Sequence, residues 1–76
     1  MTPEITDAVI KACLDSMAEA VEGAASLAKA ARACADAGNA DAAFKIALDI
    51  EPLLHEADYL IQAASTVRRR SNPVDE

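Results

Sequence analysis

The sequence has very few aromatic, glycine or proline residues. Phe44 and Tyr59 are its only aromatic side chains, tryptophan is absent, and the chain contains 2 glycines and 3 prolines. Strands favour aromatic and β-branched side chains, and the turns between them need glycine and proline. Alanine, the best helix former, instead supplies 19 of the 76 residues. The composition therefore predicts closely packed helices in an all-α fold.

The chain also lacks any long stretch that is free of charged residues. Because a membrane-spanning helix needs about 20 consecutive apolar residues, no part of the sequence is predicted to cross a membrane. The N-terminus, from Met1 to Glu4, does not show the basic and then apolar order of a signal peptide. We therefore expect a cytoplasmic protein with no membrane partner.

Positive charge is scarce, since 7 lysine and arginine residues are set against 13 aspartate and glutamate residues. The net charge of -6 disfavours general binding to nucleic acids and to anionic membranes. The only basic cluster is Arg68, Arg69 and Arg70. Capping of a helix end is the simpler interpretation of this cluster, and a nucleic-acid-binding regulatory role is the alternative. A nucleic-acid partner is not expected.

Two segments carry the residues that start and stop helices. At the N-terminus, Thr2 can cap free backbone N–H groups, Pro3 suits the first helical position, and Glu4 lies near the positive end of the helix dipole. At Gly38 and Asn39 the chain has its only turn signal. The sequence thus predicts one domain that comprises a first helix over about 3–37, a turn at 38–39, a second helix over about 40–70, and a disordered acidic tail at 71–76.

Small and apolar residues recur at alternating steps of three and four along both predicted helices. This is the period of a coiled-coil seam. Position by position, the two series pair in antiparallel order so that the residue numbers of each pair add up to 77, as Leu27 with Ile50 and Met17 with Leu60 do. We call the 16 residues the seam: Ile10, Cys13, Met17, Ala20, Ala24, Leu27, Ala31, Cys34, Ala43, Ile46, Ile50, Leu53, Ala57, Leu60, Ala64 and Val67.

A second apolar series runs beside the seam on one side of the predicted hairpin. A two-helix hairpin cannot cover these side chains by itself, and each exposed Leu, Ile or Val forgoes roughly 1.5–3 kcal/mol of burial. The expected solution is a homodimer that forms a four-helix bundle, with a larger protein partner as the alternative. We call this surface the apolar flank; its predicted interface residues are Leu14, Val21, Ala28, Phe44, Ala47, Leu48, Leu54 and Ile61.

Pro52 is the one residue that breaks the helical pattern. A proline inside a helix removes a backbone hydrogen bond and costs about 3 kcal/mol or more. Because the seam keeps its phase from Ile50 to Leu53, the sequence favours a second helix that is kinked but continuous at Pro52. The alternative is a split into two helices, with a new start near Asp49 or Glu51.

The remaining residues with chemical potential do not form a recognisable catalytic or cofactor motif. His55 has Glu51 one turn before it and Asp58 one turn after it, which is typical of solvated surface charge and leaves a weak metal site as an alternative. Cys13 and Cys34 are about 30 Å apart along one helix, too far for a disulfide within the chain. A packing role is expected for them, and a redox role stays open. We therefore expect a non-enzymatic protein, without cofactor or metal, that acts as a regulatory or structural adaptor.

Overall fold

The computed structural model describes residues 2–71, of which Ser71 is described for its backbone alone. These residues form three helices, α1 (Pro3–Asp36), α2 (Ala40–Leu48) and α3 (Ile50–Ser71), and no strand occurs among them. The helix α1 packs against both α2 and α3, so the chain folds back on itself as a helical hairpin. The prediction of an all-α hairpin is confirmed.

The first arm begins as its sequence predicts. The hydroxyl of Thr2 accepts a hydrogen bond from the backbone N–H of Ile5 at 3.3 Å, and Pro3 occupies the first helical position. Thr2 also accepts through its carbonyl from the N–H of Thr6 at 3.0 Å. The bond from Thr6 is the first regular hydrogen bond of the helix, whereas the N–H of Ile5 is one of those that every helix leaves free at its start, and the Thr2 side chain satisfies it.

The turn between the arms caps both helices at once. Gly38 adopts a positive φ of 87° and donates to the carbonyl of Ala35 at 3.0 Å, while the N–H of Asn39 donates to the carbonyl of Cys34 at 2.9 Å. This pair of bonds is a Schellman motif, which needs a left-handed residue where glycine stands. The side chain of Asn39 then accepts from the N–H of Ala42 at 3.1 Å and caps α2.

The second arm differs from the expected continuous helix, because it is interrupted at Asp49 rather than kinked at Pro52. The N–H of Asp49 donates to the carbonyl of Ile46 at 3.0 Å, three residues earlier, which closes a tighter turn than the four-residue spacing of an α-helix does. Pro52 has no N–H to offer the carbonyl of Leu48, and its ring crowds that carbonyl. The interruption places Pro52 in the first turn of α3, where a missing N–H costs nothing. The backbone of Asp49 remains right-handed helical, so the arm continues beyond it.

The seam accounts for nearly all of the burial in the hairpin. All 16 seam residues are buried or half-buried, and the four buried apolar residues are Ala20, Ala24, Ala43 and Ala57. The buried Thr6 lies one further step along the same series. A Cβ placed on Gly23 would lie 3.3 Å from Cδ1 of Leu53, so Leu53 meets α1 at the level at which the pairing puts it. These observations agree with the predicted register.

The hairpin is a single layer of two helical arms. Its extents are 56 × 20 × 14 Å and its radius of gyration is 17.3 Å, against about 11 Å for a compact domain of this length. Of the predicted tail at 71–76, Ser71 is the last residue of α3, and 72–76 lie outside the described residues. No third layer covers either side of the arms within residues 2–71.

The register can be tested by disulfide trapping within one chain. In a variant with Cys13→Ala and Cys34→Ala, we expect Ala20→Cys with Ala57→Cys to oxidise readily, because two small buried residues face each other in this layer. The matched control keeps Ala20→Cys and pairs it with Ala64→Cys instead of Ala57→Cys. Position 64 lies two turns, or about 10 Å, farther along the helix axis. Non-reducing electrophoresis and peptide mass spectrometry measure the yield. A higher yield for the control pair would show that the register is wrong.

Candidate functional site

The residues of the apolar flank are exposed in the hairpin, with the exception of Ala47. Leu14 and Val21 on α1 are 46% and 47% exposed, and Leu54 and Ile61 on α3 are 51% and 49% exposed. Each is seven residues from its neighbour on the same arm, or two helical turns, so the four side chains share one side of the hairpin. The structure therefore leaves these predicted residues uncovered in the single chain.

The flank continues on α2 toward the turn. Phe44 and Leu48 lie one turn apart and are 65% and 54% exposed, whereas Ala47 between them is half-buried. On α1, Ala28 is exposed. All eight predicted interface residues are thus described, and seven of them are exposed.

An apolar groove of about 370 Å³ lies at the turn end of the hairpin. It forms where α1 and α2 approach each other through alanine, because methyl side chains leave a depression between the two helices. Arg32 stands at its edge. The lining residues are Ala31, Arg32, Ala35, Ala40, Ala43, Phe44 and Ala47.

The predicted flank and seam contain only some of the residues that line this groove. Phe44 and Ala47 belong to the flank, and Ala31 and Ala43 belong to the seam. Arg32 and Ala40 belong to neither. The signal was present, since the series beside the seam extends by one more pair, from Ala28 with Ala47 to Ala35 with Ala40.

The opposite side of the hairpin is more polar. Ser16, Asp49 and Glu56 are exposed there, and Gly23 is half-buried beside Leu53. Three further large apolar side chains, Ile5, Val9 and Tyr59, are exposed outside the apolar flank. They do not share one side of the hairpin, whereas the flank residues recur along one side.

Two polar pairs border the apolar flank. The ammonium group of Lys11 contacts the carboxylate of Asp15 at 2.7 Å, and the amide of Gln62 donates to the carboxylate of Asp58 at 2.9 Å. Both pairs are exposed and link residues one turn apart, so each contributes only a few tenths of a kcal/mol to stability. Lys11 and Asp58, which lie next to the apolar flank, thus each have a polar partner within the hairpin.

The chemically versatile residues are not brought together. Among residues 2–71, no group of three or more histidine, cysteine, aspartate or glutamate side chains is placed to hold a metal ion, and the exposed His55 belongs to none. Cys13 and Cys34 are free thiols, half-buried in separate layers of the seam. Their position agrees with the packing role expected from the sequence.

The arginine cluster lies in the last turn of α3. Arg68, Arg69 and Arg70 are exposed at the helix end where the dipole is negative. This is the position that the capping interpretation requires.

Comparison with protein-family models, with curated proteins and with solved structures finds no match to this chain. In the described part of the chain, none of the helices combines the length and the apolar character that crossing a membrane requires.

A helix-capping role for the arginine cluster predicts a small effect of removing its charge. Replacing Arg68, Arg69 and Arg70 by Gln should lower the free energy of unfolding by a few tenths to about 1 kcal/mol per residue through the lost dipole interaction. Urea unfolding followed by circular dichroism measures this. Tight, salt-sensitive binding of the wild-type protein to RNA or DNA, lost in the variant, would instead favour the nucleic-acid alternative.

Proposed function

We propose that the protein is a non-enzymatic helical hairpin that forms a homodimer, a four-helix bundle, and acts through protein–protein contact as a small regulatory or structural adaptor in the cytoplasm. The apolar flank is the surface through which two copies meet. The observation that carries the proposal is that exposed Leu, Val, Ile and Phe side chains recur along one side of the hairpin.

The poor burial of the single hairpin supports this proposal. Its buried apolar residues are all alanines, and no large side chain among the described residues is fully buried. Leu27, Ile50 and Leu60, which lie on the seam itself, are only half-buried. A hairpin of this size therefore gains little of the apolar burial that normally stabilises a folded domain.

The exposed area supports it independently. The chain exposes 5623 Å², whereas an average folded monomer of 7.9 kDa exposes about 4400 Å². The excess of about 1200 Å² is larger than the area of about 800 Å² that each partner buries in a standard stable interface. A second copy packed flank to flank removes surface of that order.

A larger protein partner is the other occupant of the flank that we considered. A homodimer is favoured because the flank includes residues of both arms along most of their length, which a second hairpin matches in size. Tyr59 is 70% exposed and lies outside the flank, so it stays accessible in the dimer. It is available to a further protein partner of the kind that an adaptor requires.

Charged substitutions on the two sides of the hairpin test the proposal. Leu54→Asp places a carboxylate in the proposed interface twice per dimer, and burying it without a partner is unfavourable. We expect self-association to weaken by about 100-fold or more, which corresponds to about 3 kcal/mol. Sedimentation velocity at several concentrations measures the association, and circular dichroism should show that the monomer loses helicity.

The control is Ser16→Asp, which adds the same charge to the exposed, more polar side of the hairpin. This variant should remain dimeric. If the Leu54→Asp protein sediments as the same folded dimer as the wild type, the apolar flank is not the interface. If the wild-type protein is a monomer at all concentrations, the homodimer itself is refuted.

A further inference from the structure

We infer that the two hairpins pack with their turns at opposite ends of the bundle, so that the bulky end of each flank fills the alanine-lined end of the other. The occupant of the groove at the turn end is therefore a second copy of this chain. This inference rests on the proposed homodimer and adds the orientation of its subunits.

Side-chain volume is distributed unevenly along the apolar flank. Far from the turn, the flank presents Leu14 with Ile61 and then Val21 with Leu54, all about half exposed. Near the turn, the corresponding pairs are alanines, namely Ala28 with Ala47 and Ala35 with Ala40. Three of these alanines, Ala35, Ala40 and Ala47, line the groove. At these paired positions, each hairpin thus has large side chains in the half far from the turn and alanines in the half near it, while Phe44 and Leu48 lie beside the alanine pairs.

An antiparallel arrangement of the two hairpins places the large side chains of one flank over the alanines of the other. A two-fold axis across the middle of the flank places Leu14 and Ile61 of one copy over Ala35 and Ala40 of the other. The same axis places Val21 and Leu54 over Ala28 and Ala47. Each of the four layers between the subunits then contains two large side chains and two alanines. Facing large and small residues fill a core at nearly constant helix separation.

The opposite orientation, with both turns at the same end, fills the layers poorly. Two layers would contain four large side chains each, and two would contain four alanines each. Layers of four large side chains need a wider helix separation than layers of four alanines, so the helices would have to splay apart at one end. The groove at the turn end would then receive no large side chain from these pairs. The volume pattern therefore selects the antiparallel arrangement.

The residues at the edge of the flank are compatible with this arrangement. Leu48 comes close to the level of Leu54 of the other copy, and Phe44 comes to a level between Leu54 and Ile61, so both extend the apolar contact. Glu51 is exposed and lies near the two-fold axis, so two carboxylates approach each other at the edge. Because this edge stays in contact with water and salt, their repulsion is screened. The paired Lys11 and Asp58 need no new partner across the interface.

Distances between identical positions on the two copies distinguish the orientations. Glu22 and Asp36 are both exposed. They are 14 residues, or about four helical turns, apart and lie on the same side of α1. With turns at opposite ends, the axial separation of the two Glu22 positions is about 8 Å and that of the two Asp36 positions about 35 Å, at 1.5 Å per residue. With turns at the same end, both axial separations are close to zero.

Pulsed electron–electron double resonance measures these distances on the full chain. In a Cys13→Ala, Cys34→Ala background, a nitroxide is attached at Glu22→Cys or, separately, at Asp36→Cys. Since both labels lie on the same side of α1, the lateral contribution to the distance is matched. We expect the distance at position 36 to exceed that at position 22 by more than about 10 Å.

The possible results separate the two levels of the proposal. A longer distance at position 36 supports the antiparallel orientation. Equal distances at the two positions would show a dimer whose turns lie at the same end, which overturns this inference and leaves the homodimer intact. The absence of any dipolar distance, together with sedimentation as a monomer, would overturn the homodimer and this inference with it.

Discussion

Two helices that lie side by side can bury side chains only along the line where they touch. In this hairpin that line is the seam, and its most closely packed positions are alanines such as Ala20, Ala24 and Ala57. Small side chains allow the arms to approach closely, and they also limit how much apolar surface each layer removes from water. The exposed flank, the large accessible area and the proposed dimer all follow from this geometric limit.

Much of the hairpin could be predicted from the sequence because its signals are local or strictly periodic. Pro3 fixes the start of α1, and the Schellman motif at Gly38 needs a left-handed residue that few side chains tolerate. The seam repeats often enough on both arms that a shifted register would expose apolar residues. Each of the 16 seam residues is buried or half-buried, which reflects that redundancy.

The misplaced kink shows where periodicity is not sufficient. The apolar pattern continues in phase across Pro52, so it carries no information about which hydrogen bond is lost. The backbone is interrupted at Asp49, since the carbonyl that proline cannot pair belongs to Leu48, four residues earlier. The alternative from the sequence, a split with a new start near Asp49 or Glu51, agrees with the position of the orphaned carbonyl and with the start of α3 at Ile50.

The candidate interface could be predicted as a set of residues, but its occupant could not. Leu14, Val21, Leu54 and Ile61 are identifiable because they repeat beside the seam on both arms. The groove at the turn end depends on how closely α1 and α2 approach, which the sequence pattern alone does not specify. The sequence constrains an occupant of that groove only through the volume and the charge of the residues that line it.

The central claim is that one hairpin is incomplete and that a second copy completes it. The most direct measurement is the thermal unfolding midpoint of the wild-type protein, followed by circular dichroism over a hundredfold range of concentration. A dimer that unfolds to monomers should show a midpoint that rises by about 3–6 °C for each tenfold increase in concentration. A cooperative transition whose midpoint does not change with concentration would show that the single hairpin is stable by itself and would contradict this account.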